Sequence, residues 1–414
     1  MKKLILNFAV LAGALLIGSP AFSQTENRTT TVMDRSRPEL DAQGIHAGGF
    51  VIVPSVDIVE SYNDNVFATK NATRDDFVLQ VRPEVRADSQ WSNHKLQFRG
   101  AANVQRYADN SGENVENFDV GVTGRIDVQR DTNVTAGLQF EKLTEERGSA
   151  DDANGNTPTE YTRGTASLAA MNRWNRVTVD AGAEIKNYNF DDVQTSVGTT
   201  VNNDDRDRNE FRINLRGSYE IQPEYRGFAE LILSSADYSS AVDDNGLKRD
   251  NDGYEIRVGT RLDITGLVFG DVFIGYINRD YDDTSLKSVG EMTAGANITW
   301  NVTPITTLTG DVKREISETT LANASGSLNS SVSGRVDHEL LRNLILSGRL
   351  ELSRDEFEGT SREDDNLRGM LQVRYLLNRN VYLTLRYDHI ERDSSNSNSD
   401  FEQNIVFLKI RAQL

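Results

Sequence analysis

Residues 254–267 read YEIRVGTRLDITGL, and the fold turns on which way this stretch faces. Tyr254, Ile256, Val258, Leu262 and Ile264 alternate with Glu255, Arg257, Gly259, Arg261 and Asp263. Alternation with period two marks a β-strand with one apolar and one polar face. The apolar face can line a protein core or meet a membrane, and the rest of the chain must choose between them.

The same pattern recurs along the chain. Phe118, Val120, Val122, Ile126 and Val128 share one side, as do Phe211, Ile213, Leu215, Tyr219 and Ile221, and Leu344, Leu346, Leu350 and Leu352. Short turn-like segments such as Trp91-Ser92-Asn93, Trp174-Asn175-Arg176, Gln222-Pro223-Glu224 and Leu341-Arg342-Asn343 sit between alternating runs, about forty residues apart, as expected of a repeated hairpin. The other connections are longer and rich in Asp, Asn, Ser and Gly, as in RGSADDANGNTPTE (147–160) and AVDDNGLKRDND (241–252). Tight turns at one end and long polar loops at the other are the loop asymmetry of outer-membrane barrels. The runs are about 11–15 residues, against five or six in soluble sheets. Nine hairpins give an all-β transmembrane antiparallel barrel of about 18 strands; 16 is the next count, because 225–235 and 305–318 alternate poorly. A ring of that size is too wide for side chains to fill, so the apolar faces point to lipid and the polar faces to a watery lumen.

Strand parity then nominates lumen-facing residues: Arg82, Glu84, Arg86, Arg125, Arg212, Arg216, Arg257, Arg261, Arg349, Glu351, Arg368, Arg374, Lys409 and Arg411. These charges either set pore selectivity through a transverse field or neutralise one another and stiffen the wall. Few inward aromatics are expected (Tyr107, Phe273, Tyr382), so a neutral-sugar slide is not indicated.

Composition fits an exported membrane protein. Lys2 and Lys3, an apolar run to Ile17 and Ala21-Phe22-Ser23 read as a cleaved signal peptide over 1–23. Residues 24–49 form a polar periplasmic tail: either an unstructured leader, or a segment that enters the lumen or meets a partner through Arg35, Arg37 and Glu39. The barrel takes 50–414. The 414 residues contain no Cys, which excludes disulfides and thiolate chemistry, and the net charge of −18 argues against a nucleic-acid partner. No enzyme activity, cofactor or metal site is expected. His389 is the one His on the outer half, and adjacent Asp388 points to the opposite face. Asp243, Asp244, Asp250 and Asp252 lack the spacing of an EF-hand loop. The alternating terminal strand NIVFLKIRAQL is of the kind read by outer-membrane assembly machinery, although it ends on Leu414 rather than an aromatic.

RPELDAQGIHAGGFVIVPSVDIVESYNDNVFATKN (37–71) and DFVLQVRPEVRADSQWSNHKLQFRGAANVQRYADN (76–110) resemble the putative beta-barrel porin 2 family, notably Pro54-Ser55-Val56 and Tyr62-Asn63-Asp64-Asn65-Val66-Phe67. The resemblance implies an outer-membrane barrel of Gram-negative bacteria. It suggests a link to exopolysaccharide operons, with polysaccharide-export components as partners beside lipid and lipopolysaccharide. Porin-like passage of polysaccharide or small polar solutes is the leading expectation. The alternative is a non-conducting structural or surface barrel whose outer loops bind cations or partners. Asn63, Asp64 and Asn65 are a candidate pore-mouth turn, or ordinary turn chemistry, since Asn and Asp suit such bends.

Overall fold

The computed structural model describes residues 30–152, 155–195 and 197–414, so the expected signal peptide lies outside the described residues. Eighteen antiparallel strands of 12–15 residues form a closed ring. The first seven are β1 (Phe50–Asn63), β2 (Asp76–Ser89), β3 (Lys95–Tyr107), β4 (Val115–Gln129), β5 (Thr132–Thr144), β6 (Glu160–Trp174) and β7 (Val177–Phe190). Then come β8 (Arg208–Gln222), β9 (Tyr225–Tyr238), β10 (Asn251–Ile264), β11 (Val268–Tyr281), β12 (Val289–Thr303) and β13 (Thr306–Ser317). The last five are β14 (Ser327–Leu341), β15 (Leu344–Phe357), β16 (Glu363–Leu376), β17 (Val381–Ser394) and β18 (Phe401–Gln413). Each strand pairs with its chain neighbour, and β1 pairs with β18 to leave no edge. The poorly alternating stretches, 225–238 and 306–317, are nonetheless full strands, because pairing on both sides supplies what their sequence pattern lacks.

The barrel is apolar outside. In the opening stretch Ile256 is 50% and Val258 58% exposed, whereas Glu255 is 5% exposed. Register carries this face round the ring: Leu215, Leu231, Ile256 and Tyr276 lie side by side. Exposed Tyr62, Phe77, Phe118, Phe211, Tyr254 and Tyr276 lie in the outer half, and exposed Phe98, Trp174, Tyr219, Trp300 and Tyr375 in the inner half. Two aromatic girdles around an apolar band are the membrane-facing signature of such barrels. No helix among the described residues is long and apolar enough to cross a membrane, and the strands do the crossing.

The tight inner turns are built with local devices. His94 adopts φ 64° in the β2–β3 turn, and the turn is held from β4. Its amide donates to the Asp127 carboxylate (2.9 Å), and its Nδ1 accepts the Asp127 amide (3.0 Å).

Candidate functional site: the lumen and its two mouths

The inner wall is a lattice of ion pairs, many between residues two apart on one strand. Such residues share a face and sit about 7 Å apart along the chain, within reach of an Arg and a carboxylate. Arg257 bridges Glu255 (2.7 Å), Arg335 bridges Asp337 (2.8 Å), Arg349 bridges Glu351 (2.6 Å), Arg86 bridges Asp88 (2.9 Å) and Arg125 bridges Asp127 (3.0 Å). Arg216 reaches Glu230 (3.0 Å) and Asp271 (2.9 Å), and Arg261 takes the other side of Asp271 (2.7 Å). Glu84 is held by Arg99 (3.2 Å). Lys409 and Arg411 approach Asp57 only at 3.5 and 3.6 Å. Arg82, Arg212, Arg368 and Arg374 have no ion pair among the described residues. All fourteen residues nominated from parity lie on the strand face opposite the exposed apolar side chains.

The motif Arg-x-Asp/Glu signals the same-strand pairs, and it recurs in RAD (86–88), RID (125–127), RVD (335–337), RLE (349–351) and RYD (386–388). Parity alone missed Asp57, Arg335 and Asp337, although the last two form such a pair. The motif also misleads: in RPE (82–84) Glu84 bonds to Arg99 from β3, in RLD (261–263) Arg261 bonds to Asp271 from β11, and in RDE (354–356) Arg354 bonds to Asp365 from β16.

At the outer mouth the described parts of the β5–β6 loop, 145–152 and 155–159, reach from one side of the opening to the other. Arg147 binds Glu113 (2.7 Å), and Arg206 binds Glu145 (2.8 Å). Arg392 of β17 donates to the Gly148 carbonyl. Gly148 has φ +78°, and a Cβ there would come within 2.8 Å of the Ala68 side chain. On the far side, Asp151 accepts from the Thr319 hydroxyl (2.7 Å) and the Thr320 amide (3.1 Å). The β13–β14 loop that supplies those donors is folded inward. Glu318 accepts from Tyr238 (3.0 Å), Asn251 (3.0 Å) and Arg279, and buried Arg249 donates to the carbonyls of Thr319 and Ala324. Asp243 is spent on Arg249 (2.8 Å), and Asp250 accepts the Tyr238 amide (2.7 Å), so these loop carboxylates serve the fold. Burial by itself would raise the Asp243 pKa, but the Leu247 amide, the Arg249 guanidinium and the Asn245 amide outweigh it and hold the carboxyl below its usual range.

Asn63, Asp64 and Asn65 sit on the β1–β18 seam. Asp64 accepts from the Asn404 amide (2.7 Å) and side chain (2.8 Å). Buried Asn65 donates to the carbonyls of Thr69 and Glu402 (both 2.8 Å), and its own carbonyl accepts from Gln403 (2.7 Å). The triplet thus extends ring closure beyond the last ladder pair, Asn63 with Ile405. His389 is on the outward face with Tyr387, and both contact Asn404 Oδ1 (2.9 and 2.7 Å), while Asp388 points inward to Arg386.

At the inner mouth the described tail, from residue 30, packs against the barrel. Ile45–Ala47 pairs back on β1, and Gly44 donates to the Leu414 carbonyl (3.1 Å). The tail then runs along the inside of the rim. The Leu40 carbonyl accepts from Tyr382 (2.6 Å), Glu39 bridges Arg342 (2.7 Å) and Arg37 bridges Glu339 (2.7 Å), both partners of the last pair being buried. Arg35 reaches the Pro304 carbonyl, and fully buried Val32 donates its amide to Thr307 (3.0 Å).

Among solved structures, the ferric enterobactin receptor PfeA of Pseudomonas aeruginosa (R480A_Q482A mutant) is 6% identical with a TM-score of 0.48, covering 88% of this chain and 80% of that one. The outer membrane protein opdK of the same organism is 12% identical with a TM-score of 0.43, covering 88% and 99%. OccK2 (OpdF), also from that organism, is 12% identical with a TM-score of 0.47, covering 88% and 98%. No curated protein matches the chain. The sequence model of one family covers the tail from the Arg37–Glu339 bridge onward and the entire barrel, and the chain therefore belongs to the family described as Putative beta-barrel porin 2, matched over residues 37–414.

Proposed function

We propose that the chain is a porin-like conduit of the outer membrane, passing polysaccharide or small polar solutes through a charged, water-filled lumen. The observation that carries this reading is the closed ring of eighteen strands with a polar inner face, since rings of 16–18 strands enclose an aqueous channel. Selectivity would come from the inward charges that the wall leaves unpaired, Arg82, Arg212, Arg368 and Arg374. The polysaccharide part of the proposal leans on the family resemblance. Genes for glycosyltransferases and a polymer exporter beside this one would strengthen it.

A second reading, a non-conducting structural barrel, is favoured by one observation: polypeptide bridges the outer mouth and lines the rim of the inner one. Single-channel recording of refolded protein in planar bilayers separates the two. Stable open steps are expected of the conduit, whereas silence from a correctly folded barrel would leave the structural reading standing.

A further inference from the structure

Inward cations are held differently from one part of the lumen to another. On the β8–β11 wall Arg216, Arg257 and Arg261 each lie within 3.0 Å of a carboxylate oxygen of Glu230, Glu255 or Asp271, and Arg212 and Arg226, unpaired among the described residues, stand apart on different strands. The wall from β14 through β18 to β1 is different. In its inner half four cations, Arg335, Arg374, Lys409 and Arg411, lie near Asp57 and Asp337, the neighbouring Glu339 being taken by Arg37 and Arg35. Register brings them together. Arg374, Thr384 and Lys409 lie opposite one another across β16, β17 and β18, placing the two cations about 10 Å apart at the backbone. Arg411 follows Lys409 on the same face, beside Asp57. Arg374 is within electrostatic reach of Arg335, Arg411, Asp57 and Asp337.

The two carboxylates do not balance this group. Asp337 is committed to Arg335 (2.8 Å) and the Ser347 hydroxyl (2.5 Å). Asp57 is shared between Lys409 and Arg411 at ion-pair range, and the buried Arg411 Nε and Asp57 Oδ1 make no hydrogen bond. Arg374 has no ion pair or hydrogen bond among the described residues. The nearest tail carboxylates are engaged elsewhere: Asp41 accepts from Ser36 and the Arg37 amide, and Glu39 holds Arg342. Like charges held together on a partly desolvated wall are costly unless an anion joins them.

We infer that Arg374, Arg411, Lys409 and Arg335 form a binding station for carboxylate-bearing solutes in the inner half of the lumen, an acidic oligosaccharide being the class that the conduit role would bring there. This inference rests on the conduit reading and adds the substrate class. Arg374 and Arg411 would take a carboxylate through their guanidinium forks, and Lys409 would add a point charge.

The test uses the full-length barrel, wild type and the double variant R374Q/R411Q, with folding checked by heat-modifiable gel mobility. R86Q, at an arginine paired with Asp88, serves as control. Reversal potentials are read in a KCl gradient, and block is titrated with trigalacturonate and with neutral maltotriose. Expected are chloride preference in the wild type, and block by trigalacturonate that weakens at least tenfold in the double variant but not in R86Q, with no block by maltotriose. An open channel without anion preference, or with block unchanged in the double variant, overturns the station while sparing the conduit. If the folded wild type is silent, the conduit falls, and calorimetry of trigalacturonate with the detergent-solubilised barrel decides the station separately. Absence of heat, or equal heat from the double variant, sinks it.

Discussion

The two mouths of the barrel carry polypeptide of different attachment. The outer strap, 145–152 and 155–159, belongs to the loop that joins β5 to β6 and is anchored by those strands. Charged contacts pin it to several neighbouring loops. The inner strap, 30–44, joins the barrel where the chain enters β1. Before that it is held by the buried Arg37–Glu339 pair, the fully buried Val32, the exposed Glu39–Arg342 pair and hydrogen bonds to Tyr382 and Pro304. A tethered loop can loosen but not leave. A tail can peel away once its latch fails. The inner mouth is therefore the one whose state a single substitution can change outright.

The largest expected effect follows from that asymmetry. Glu339→Ala strands Arg37 beside a buried surface, and breaking a buried pair by removing one partner costs about 3–5 kcal/mol. The tail should detach, becoming open to limited proteolysis between residues 30 and 44, with higher channel conductance and an unchanged barrel. Retained protection of the tail would show that Val32 and the backbone contacts suffice to hold it.

The matching change at the outer mouth should do less. Arg147→Ala removes hydrogen bonds to Glu113 from both Nε and a terminal guanidinium nitrogen, worth about 1.5–3 kcal/mol for charged partners. The strap keeps Arg206–Glu145 and Asp151–Thr319, so faster hydrogen exchange over 145–152 is expected without proteolytic cutting. Cleavage as ready as that of the Glu339→Ala tail would erase the distinction between the mouths.

Asn65→Ala addresses the seam beneath the outer strap. It removes the donations to Thr69 and Glu402, about 1–2 kcal/mol net. A few degrees off the temperature of heat-modifiable unfolding is expected, with conductance unaffected. A changed conductance at unchanged stability would instead assign the triplet to the pore mouth.

How far the sequence could be read depends on the range of the forces involved. A strand's faces were legible because the pattern repeats every second residue, so fourteen residues put Ile256 and Arg257 on opposite faces, while the length and number of the strands chose which face meets lipid. Same-strand ion pairs were legible in principle for the same reason. The seam was not, because Asn65 and Glu402 meet only when the ring closes, 337 positions apart. Nor were the straps. The tail is polar and aperiodic, and its order comes from Thr307, Glu339 and Arg342, which no local pattern connects to it. Both readings of the tail were open from sequence, and the side chains Arg35, Arg37 and Glu39 are the ones that meet the barrel rim.

Acid provides the gentlest comparison of the mouths. On the outer side Asp283 is held at about 2 by the Ser285 hydroxyl and amide and the Lys248 amide, and Lys70 holds the Asp400 carboxyl low. Asp243 is depressed as well. On the inner side Glu39 is depressed by Arg342. Each is a carboxyl whose pKa is lower folded than unfolded. Its contribution is therefore complete above the ordinary carboxylate pKa of about 4 and is lost as pH falls through the folded value. Between pH 7 and about 5 neither mouth should change. Further acidification protonates three outer carboxyls, one of them joined to the buried Arg249 that props the β13–β14 loop, whereas on the inner strap the depressed carboxyl is the exposed Glu39. Hydrogen exchange over 239–250 should therefore rise before exchange over 30–44, with the inner strap outlasting the outer one at low pH. The opposite order would place the acid-sensitive latch at the tail and make Glu39–Arg342, an exposed pair, more important than its burial allows.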